Sequence, residues 1–343
     1  YFIKPIQRRK MFDLKSFVDP EDQSKNLIIS NDYLENETKK FKYKIINDIP
    51  RFTDNDYATK FGDQWTEYDI DQFDDQPGDY EGITRSKDVL QQVFPHDLKE
   101  MKGKLVLEAG SGNGRFTHVM LNNGAKVDTF DLSHSVDTLK KNLQKHKNFK
   151  TGLRSIAQAN ILKMPYQKKS YDYVICVHVL QHTPNPEESI QKLWEMVKPG
   201  GYLVIDHYRA FWKTMFPPIG GFGNVFRLIT LRLPYHRQKN FSDSFVKFWF
   251  PIHWAFKDSK LMQHILLRMS PVRFYYPWLK LPNRDAYFKK ALVDTHDGST
   301  DVYHYVRTVN QIKKTLSKLD DIEEFSASKG GNGVIAWAYK KLN

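Results

Sequence analysis

The stretch Val106-Leu-Glu-Ala-Gly-Ser-Gly-Asn-Gly-Arg-Phe-Thr117 constrains this chain more than any other. Leu105, Val106 and Leu107 make a short apolar run, expected to be a buried strand, and a helical pattern begins at Arg115. Between them stand Gly110, Gly112 and Gly114, at alternate positions. Glycines at a strand-to-helix turn let the backbone enter conformations that other residues avoid, and let a ligand lie against it. Taken alone, the triplet fits a turn that needs glycine for steric reasons only about as well.

The surroundings narrow this. From Lys104 to Tyr208 strand-like and helix-like segments alternate with short joins. The strands read as Leu105–Ala109, Lys126–Leu132, Ser155–Ile161, Tyr171–Val179 and Tyr202–Tyr208, with helices near 115–123, 134–147 and 186–197. Such alternation predicts an α/β fold, a mostly parallel sheet with helices on both faces. After Tyr208 the alternation stops for about 90 residues, punctuated by seven proline or glycine breaks that predict short helices only. It resumes with a helix over Val306–Leu319 and strands over Ile322–Ser328 and Val334–Lys340, joined through an Asn-Gly hairpin cue. Before the glycine turn, Leu27–Ser30 and Phe41–Ile46 read as a hairpin, and residues 84–94 as a helix. The expected organisation is a hairpin-like lead segment (1–50), cap helices (51–100), a ligand-binding core (101–208), an insertion (209–300) and a last helix with a strand pair (301–343).

Charge is segregated. The whole chain carries +12, and so does the window from Arg209 to Lys290 alone, with 15 Lys/Arg against three acids and 19 of the 48 aromatic residues. Residues 54–81 are the reverse, ten acids against one lysine with aromatics interleaved. The single cysteine, Cys176, excludes a disulfide framework or a cysteine metal site, and fits a reducing compartment. No signal-peptide pattern or membrane-length apolar run is visible, so a cytoplasmic protein is expected. A start on Tyr1 is expected of a longer or processed chain.

Asp131 lies seventeen residues past Gly114, at the end of the second expected strand. An acid there can accept both hydroxyls of a ribose, or cap the next helix. The glycine pattern is Gly-x-Gly-x-Gly and Glu108 precedes it, unlike the dinucleotide fingerprint. A carboxylate facing the turn would repel a pyrophosphate and suit an ammonium. Ammonium, ribose and no phosphate describe S-adenosylmethionine (SAM) better than NAD.

Leu107–Gly114, Asp131, the run Met164–His182 and the run Leu193–Val204 together resemble the class I SAM-dependent methyltransferases, of the type 11-like kind, in order and spacing across roughly residues 100–208 plus the C-terminal hairpin. The resemblance implies a Rossmann-like seven-stranded sheet whose last strand enters antiparallel. It places Glu108, Ala109, Gly110, Ser111, Gly112 and Gly114 at the methionyl part of SAM, and Asp131 at the ribose. Leu132, Asn160 and Ile161 fall beside the adenine, and Val177 and His178 under the cofactor. Asn160 stands where the family often has Asp. Asp48-Ile-Pro-Arg-Phe52 and Phe61-Gly-Asp-Gln-Trp65 resemble a subgroup with a zinc-ribbon-like lead segment, here without cysteine and so without metal. That subgroup makes Gln64, Trp65 and Arg85 candidates, Arg85 as a partner of the SAM carboxylate.

Methyl transfer is an in-line displacement, for which positioning supplies roughly 7–11 kcal/mol. A hydroxyl acceptor also needs a base. His182 is the first candidate, against a role in packing or capping its own turn. His207 and Tyr208, at the end of the fifth strand, also open toward the site, whereas His296 and Asp297 read as loop residues that close it. The insertion reads as a lid, as a contact for anionic or membrane-surface substrates centred on 241–280 with Phe245–Trp254 at the interface, or last as an RNA-binding surface. The expected activity is methylation of a small-molecule, saccharide or lipid-like acceptor, at oxygen. The alternatives are an RNA methyltransferase and a non-catalytic SAM-fold scaffold.

Overall fold

The structure, a computed structural model, describes residues 16–38, 40–53, 86–210, 222–274, 276, 281–331 and 333–342. Eleven strands form one sheet. They are β1 (Leu27–Ser30), β2 (Tyr33–Asn36), β3 (Lys42–Ile46), β4 (Ile49–Arg51), β5 (Leu105–Ala109), β6 (Lys126–Asp131), β7 (Leu153–Gln158), β8 (Tyr171–Cys176), β9 (Val197–Tyr208), β10 (Ile322–Gly330) and β11 (Gly333–Lys340), in the order β1-β2-β3-β4-β7-β6-β5-β8-β9-β11-β10. The last seven in that order are the expected mostly parallel sheet, with β11 antiparallel to both β9 and β10.

The lead segment departs from expectation. β1 and β3 are not hairpin partners; β2 lies between them and pairs with each. Tyr33-Leu-Glu-Asn36 carries no apolar alternation because Glu35 and Asn36 are themselves buried, and the Asn36 amide donates to Asp19, which also accepts from Tyr43. β4 then joins β7 in parallel, so the lead segment lengthens the sheet. Arg51 pins the junction through a bidentate pair with Asp137 at 2.7 and 2.8 Å.

Helices cover both faces. α1 (Ser86–Val93), α2 (Arg115–Asn122) and α3 (Ser135–Leu143) bury Leu90, Met120 and Leu139 against one face, in a core with Val106 and Ile156. α4 (Pro186–Met196) and, late in the chain, a helix at Val309–Leu316 bury Ile190, Trp194 and Ile312 on the other. α4 starts where it does because Asn185 accepts from the Glu188 amide, Pro186 needs no amide partner, and Glu187 and Glu188 face the positive helix end.

The insertion contributes α5 (Phe222–Thr230), α6 (Tyr235–Ala255), α7 (Lys260–Met269) and α8 (Arg284–Thr300), and the helix at Val309–Leu316 is α9. It has its own core, built on Val246, Phe250, Val272, Phe274, Tyr287 and Ala291. α6 runs 21 residues straight through Pro251, against the expectation of short helices. Proline there removes one hydrogen bond near the helix end, and the burial of Val246, Phe250 and His253 from the same helix offsets it. α8 likewise carries His296, Asp297 and Gly298, which sequence reading put in a loop.

Candidate active site at the C-terminal edge of the sheet

The parallel strands β5, β6, β7, β8 and β9 all point the same way, and their ends bring most of the expected residues to one edge. The glycine turn is shaped as its sequence requires. Gly110, Gly112 and Gly114 all have positive φ, and a Cβ on Gly110 would lie 2.2 Å from Val179. The Gly110 and Ser111 amides both donate to the Phe130 carbonyl, and the Gly112 amide donates to Asp131 Oδ2 at 2.9 Å. Asp131 Oδ1 accepts from the Ser133 amide and hydroxyl at 2.8 and 2.7 Å. The carboxylate is thus held in one pose at the end of β6, half-buried, and with acceptor capacity to spare on Oδ2.

Glu108 sits lower than a surface facing a ligand. It is 2% exposed, beneath the turn, with Oε2 accepting from Thr117 and Thr129 at 2.5 and 2.9 Å. Burial pushes its carboxyl up to about 7, against the two threonine hydrogen bonds. Its Oε1 and the buried Ser111 hydroxyl find no hydrogen-bond partner among the described residues. Orphaned polar atoms at a glycine turn, beside a fixed carboxylate, fit a polar cofactor that completes the site. Leu132 is half-buried next to Asp131, whereas Ala109, Ile161 and Val177 are buried. Asn160 spends Oδ1 on the Leu162 amide, a turn-forming role. Gln64, Trp65 and Arg85 lie outside the described residues.

His178 follows β8 in a left-handed conformation, φ 64°, which a non-glycine side chain adopts at a cost. Its amide donates to Asp206 Oδ1 at 2.6 Å. Arg115 lies 2.7 Å from Nδ1, and since arginine only donates, Nδ1 accepts and Nε2 carries the proton. Nε2 is 3.2 Å from Asp206 Oδ2, yet the two are too poorly aligned for a hydrogen bond. They are not an ion pair either. Burial drives His178 well below its usual range and Asp206 up to about 7, so both tend toward neutrality.

Four elements meet at His182. It ends the short helical turn Leu180–His182 after β8, and its Nδ1 lies 2.9 Å from Asp301 Oδ1 and 3.3 Å from the Tyr303 carbonyl. Both are acceptors, so Nδ1 carries a proton. Asp301 caps the C-terminus of α8 and takes a second histidine, His304, on its other oxygen at 2.8 Å. The Tyr208 ring stands between the two, 5.4 Å from His182 and 5.1 Å from His304. Burial alone would depress His182, but the hydrogen bond and charge of Asp301, with the charge of Asp297, leave it raised. Burial would raise Asp301, and the two histidines hold it below the usual carboxylate range. Asp297 is pushed up to about 6 by burial. The return strand is stapled to the core by Tyr305 donating to Gln181, Arg307 to Tyr208 and Ala210 to Arg307.

His207 does not join this group. By strand alternation it stands on the face of β9 opposite Asp206 and Tyr208; its Nδ1 meets the Tyr208 carbonyl, and burial lowers it to about 4. Asp301 and His304 are the members that sequence reading missed. An acid three residues before a histidine was a visible signal, but His182 is 119 positions away from Asp301.

Residues 107–205 match the model of a methyltransferase domain. They lie in a class I methyltransferase fold whose sheet also takes in β10 and β11. The chain is 28% identical over 145 residues to the ubiquinone biosynthesis O-methyltransferase of Coxiella burnetii, 42% of this chain and 58% of that protein. With the protein of the same name from Azoarcus sp. it shares 32% over 127 residues, 35% of this chain and 51% of the other. The chain thus spans about half the length of the curated relatives it matches. The magnesium protoporphyrin IX methyltransferase of Synechocystis PCC 6803, solved with bound SAH, aligns at TM-score 0.43 and 15% identity over 83% of this chain and 97% of that one. The matched stretch ends three residues before Tyr208, so Asp301 and His304 lie outside it.

Proposed function

We propose that this chain is a SAM-dependent methyltransferase that transfers a methyl group to oxygen on a small-molecule, saccharide or lipid-like acceptor. The observation that carries the oxygen assignment is the His182–Asp301 pair at the C-terminal edge of the sheet. An amine that arrives unprotonated attacks without a base, whereas a hydroxyl needs its proton removed as the new bond forms. The ubiquinone biosynthesis O-methyltransferases that the chain resembles support the same reading.

Asp131 would take the ribose hydroxyls on Oδ2, the Gly110–Gly114 backbone would lie along the methionyl part and Leu132 beside the adenine, a reading supported by the fixed Asp131 carboxylate and the positive-φ glycines. SAM, when bound, supplies a sulfonium methyl that leaves its sulfur as a neutral thioether. The protein's part is alignment and proton removal. With SAM as the methyl donor, the acceptor oxygen would take the methyl while its hydroxyl proton would pass to Nε2 of His182. Asp301 then balances the imidazolium through Nδ1, with His304 and the Tyr208 ring holding the carboxylate and imidazole in place. Tyr208 keeps its own proton, since burial pushes its hydroxyl far above neutrality.

Methyl-labelled SAM offered with a panel of phenols, sugars and amines tests the assignment. Label should appear on hydroxyl oxygen, only with the hydroxyl-bearing acceptors. Transfer confined to amines or to RNA overturns it, and SAM binding without transfer to any of them favours the scaffold alternative.

A further inference from the structure

Among the described residues of the insertion, most aromatics are buried or half-buried, Phe222, Phe248 and Phe256 excepted, and the other exposed apolar side chains are aliphatic. In the run Phe245–Trp254, Val246, Phe250 and His253 are buried in the insertion's own core, and Phe248 is the one large apolar side chain on the outer surface. The exposed apolar residues lie instead on α5 and α7, two helices packed against each other. On α5, Phe226 and Thr230 face inward while Phe222, Val225, Leu228 and Ile229 face solvent, Phe222 being the one ring among them. On α7, Gln263 and Leu266 face inward while Leu261, Ile265 and Met269 are exposed, at 71%, 40% and 58%. These last three recur every four residues and so form one row along the helix. Lys260, His264 and Arg268 share that outer side, Arg232 follows α5, and no acid lies on the outer side of either helix.

We infer that this α5–α7 face docks on an anionic lipid surface. The chemistry selects among occupants. An isologous contact with a second copy would set Lys260, His264 and Arg268 against their own images, like charge on like. RNA would ask for exposed aromatic rings to stack on, and here the exposed side chains are mostly aliphatic. A bilayer of acidic headgroups accepts both features at once: aliphatic side chains enter the acyl boundary while the long basic side chains stay at headgroup level. Lys260, Arg268 and Arg232 give this face a positive charge with no acid to offset it on either helix. The docking face belongs to the insertion whose far end supplies Asp301 to His182. The inference goes beyond the proposed activity and does not depend on which atom is methylated.

Co-sedimentation of the full chain with phosphatidylcholine vesicles, with and without phosphatidylglycerol, tests it. The chain should pellet with the anionic vesicles at low salt, far less with the neutral ones, and less as salt rises. The double variant Leu261→Glu/Met269→Glu should bind the anionic vesicles at least tenfold more weakly, with SAM affinity and thermal midpoint unchanged because both side chains point to solvent. Lys260→Glu/Arg268→Glu should do the same and also lose the salt dependence. No pelleting with either vesicle, or pelleting that both double variants leave intact, overturns the inference. So does a dimer in solution that Leu261→Glu/Met269→Glu dissociates, since that assigns the face to a second copy. Loss of SAM binding in the unaltered chain would count against the methyltransferase reading and leave the vesicle result to be judged by itself.

Discussion

The sheet edge and the insertion contribute to one site by opposite means. At the sheet edge, local backbone geometry dictates the residues: three glycines with positive φ, an acid at the end of β6, a strained histidine after β8. Each can be placed from its neighbours in the chain. The insertion contributes through a long-range meeting instead, one carboxylate brought back to His182 by the end of α8. A cofactor site can be written in a short stretch of sequence because a turn makes it. A base and its orienting acid need the whole fold.

Breaking the base should have the largest effect. His182→Ala should lower kcat by about a thousandfold, within the usual range for a general base, while SAM affinity stays within about twofold. Turnover and titration calorimetry on the same preparation check it; equal losses in both would return His182 to a packing role. Asp301→Asn tests the insertion's half. Here kcat should fall too, by less than in His182→Ala, as the ring loses its orienting charge. Since Asp301 raises His182, the acid limb of the pH–rate profile should move to lower pH in this variant. A profile that falls in height without moving would mean that Asp301 only props the loop.

A smaller effect concerns Glu108. Its carboxyl, near 7, is charged in only part of the molecules at neutrality, and a cationic ligand favours the charged form. SAM affinity should therefore rise between about pH 6 and pH 8, by about tenfold or less, and Glu108→Gln should flatten that slope. Stability runs the other way. A carboxyl raised above its unfolded value of 4.5 contributes stability that is present below that value and lost as pH rises through about 7. Between about pH 5 and pH 8 the melting midpoint of ligand-free Glu108→Gln should thus fall less, or rise more, than that of the unaltered protein, the buried histidines acting alike in both; parallel profiles contradict the buried pose.

The difference between the regions also explains what could be read ahead of the structure. Strands β5 to β8 and the glycine turn were legible because apolar runs, breaks and positive-φ glycines are local signals. β2 was not, since it buries two polar residues, Asn36 bonded to Asp19 and Glu35 paired with Lys42, and so breaks the alternation that marks a strand. α6 passed through Pro251 because tertiary burial outweighed one lost hydrogen bond. His182 was visible as a histidine after a strand, but its partner was not, because nothing local ties Asp301 to it. Asn160 was visible too, although its side chain serves the Leu162 amide.

Titration calorimetry with SAM on the unaltered chain and on Asp131→Ala bears most directly on the cofactor assignment. Saturable binding in the micromolar range should weaken by at least tenfold in Asp131→Ala, because the ribose would lose charge-assisted hydrogen bonds worth about 1.5–3 kcal/mol each. No binding below millimolar SAM, or the same Kd in both proteins, would contradict the assignment of this sheet edge to SAM.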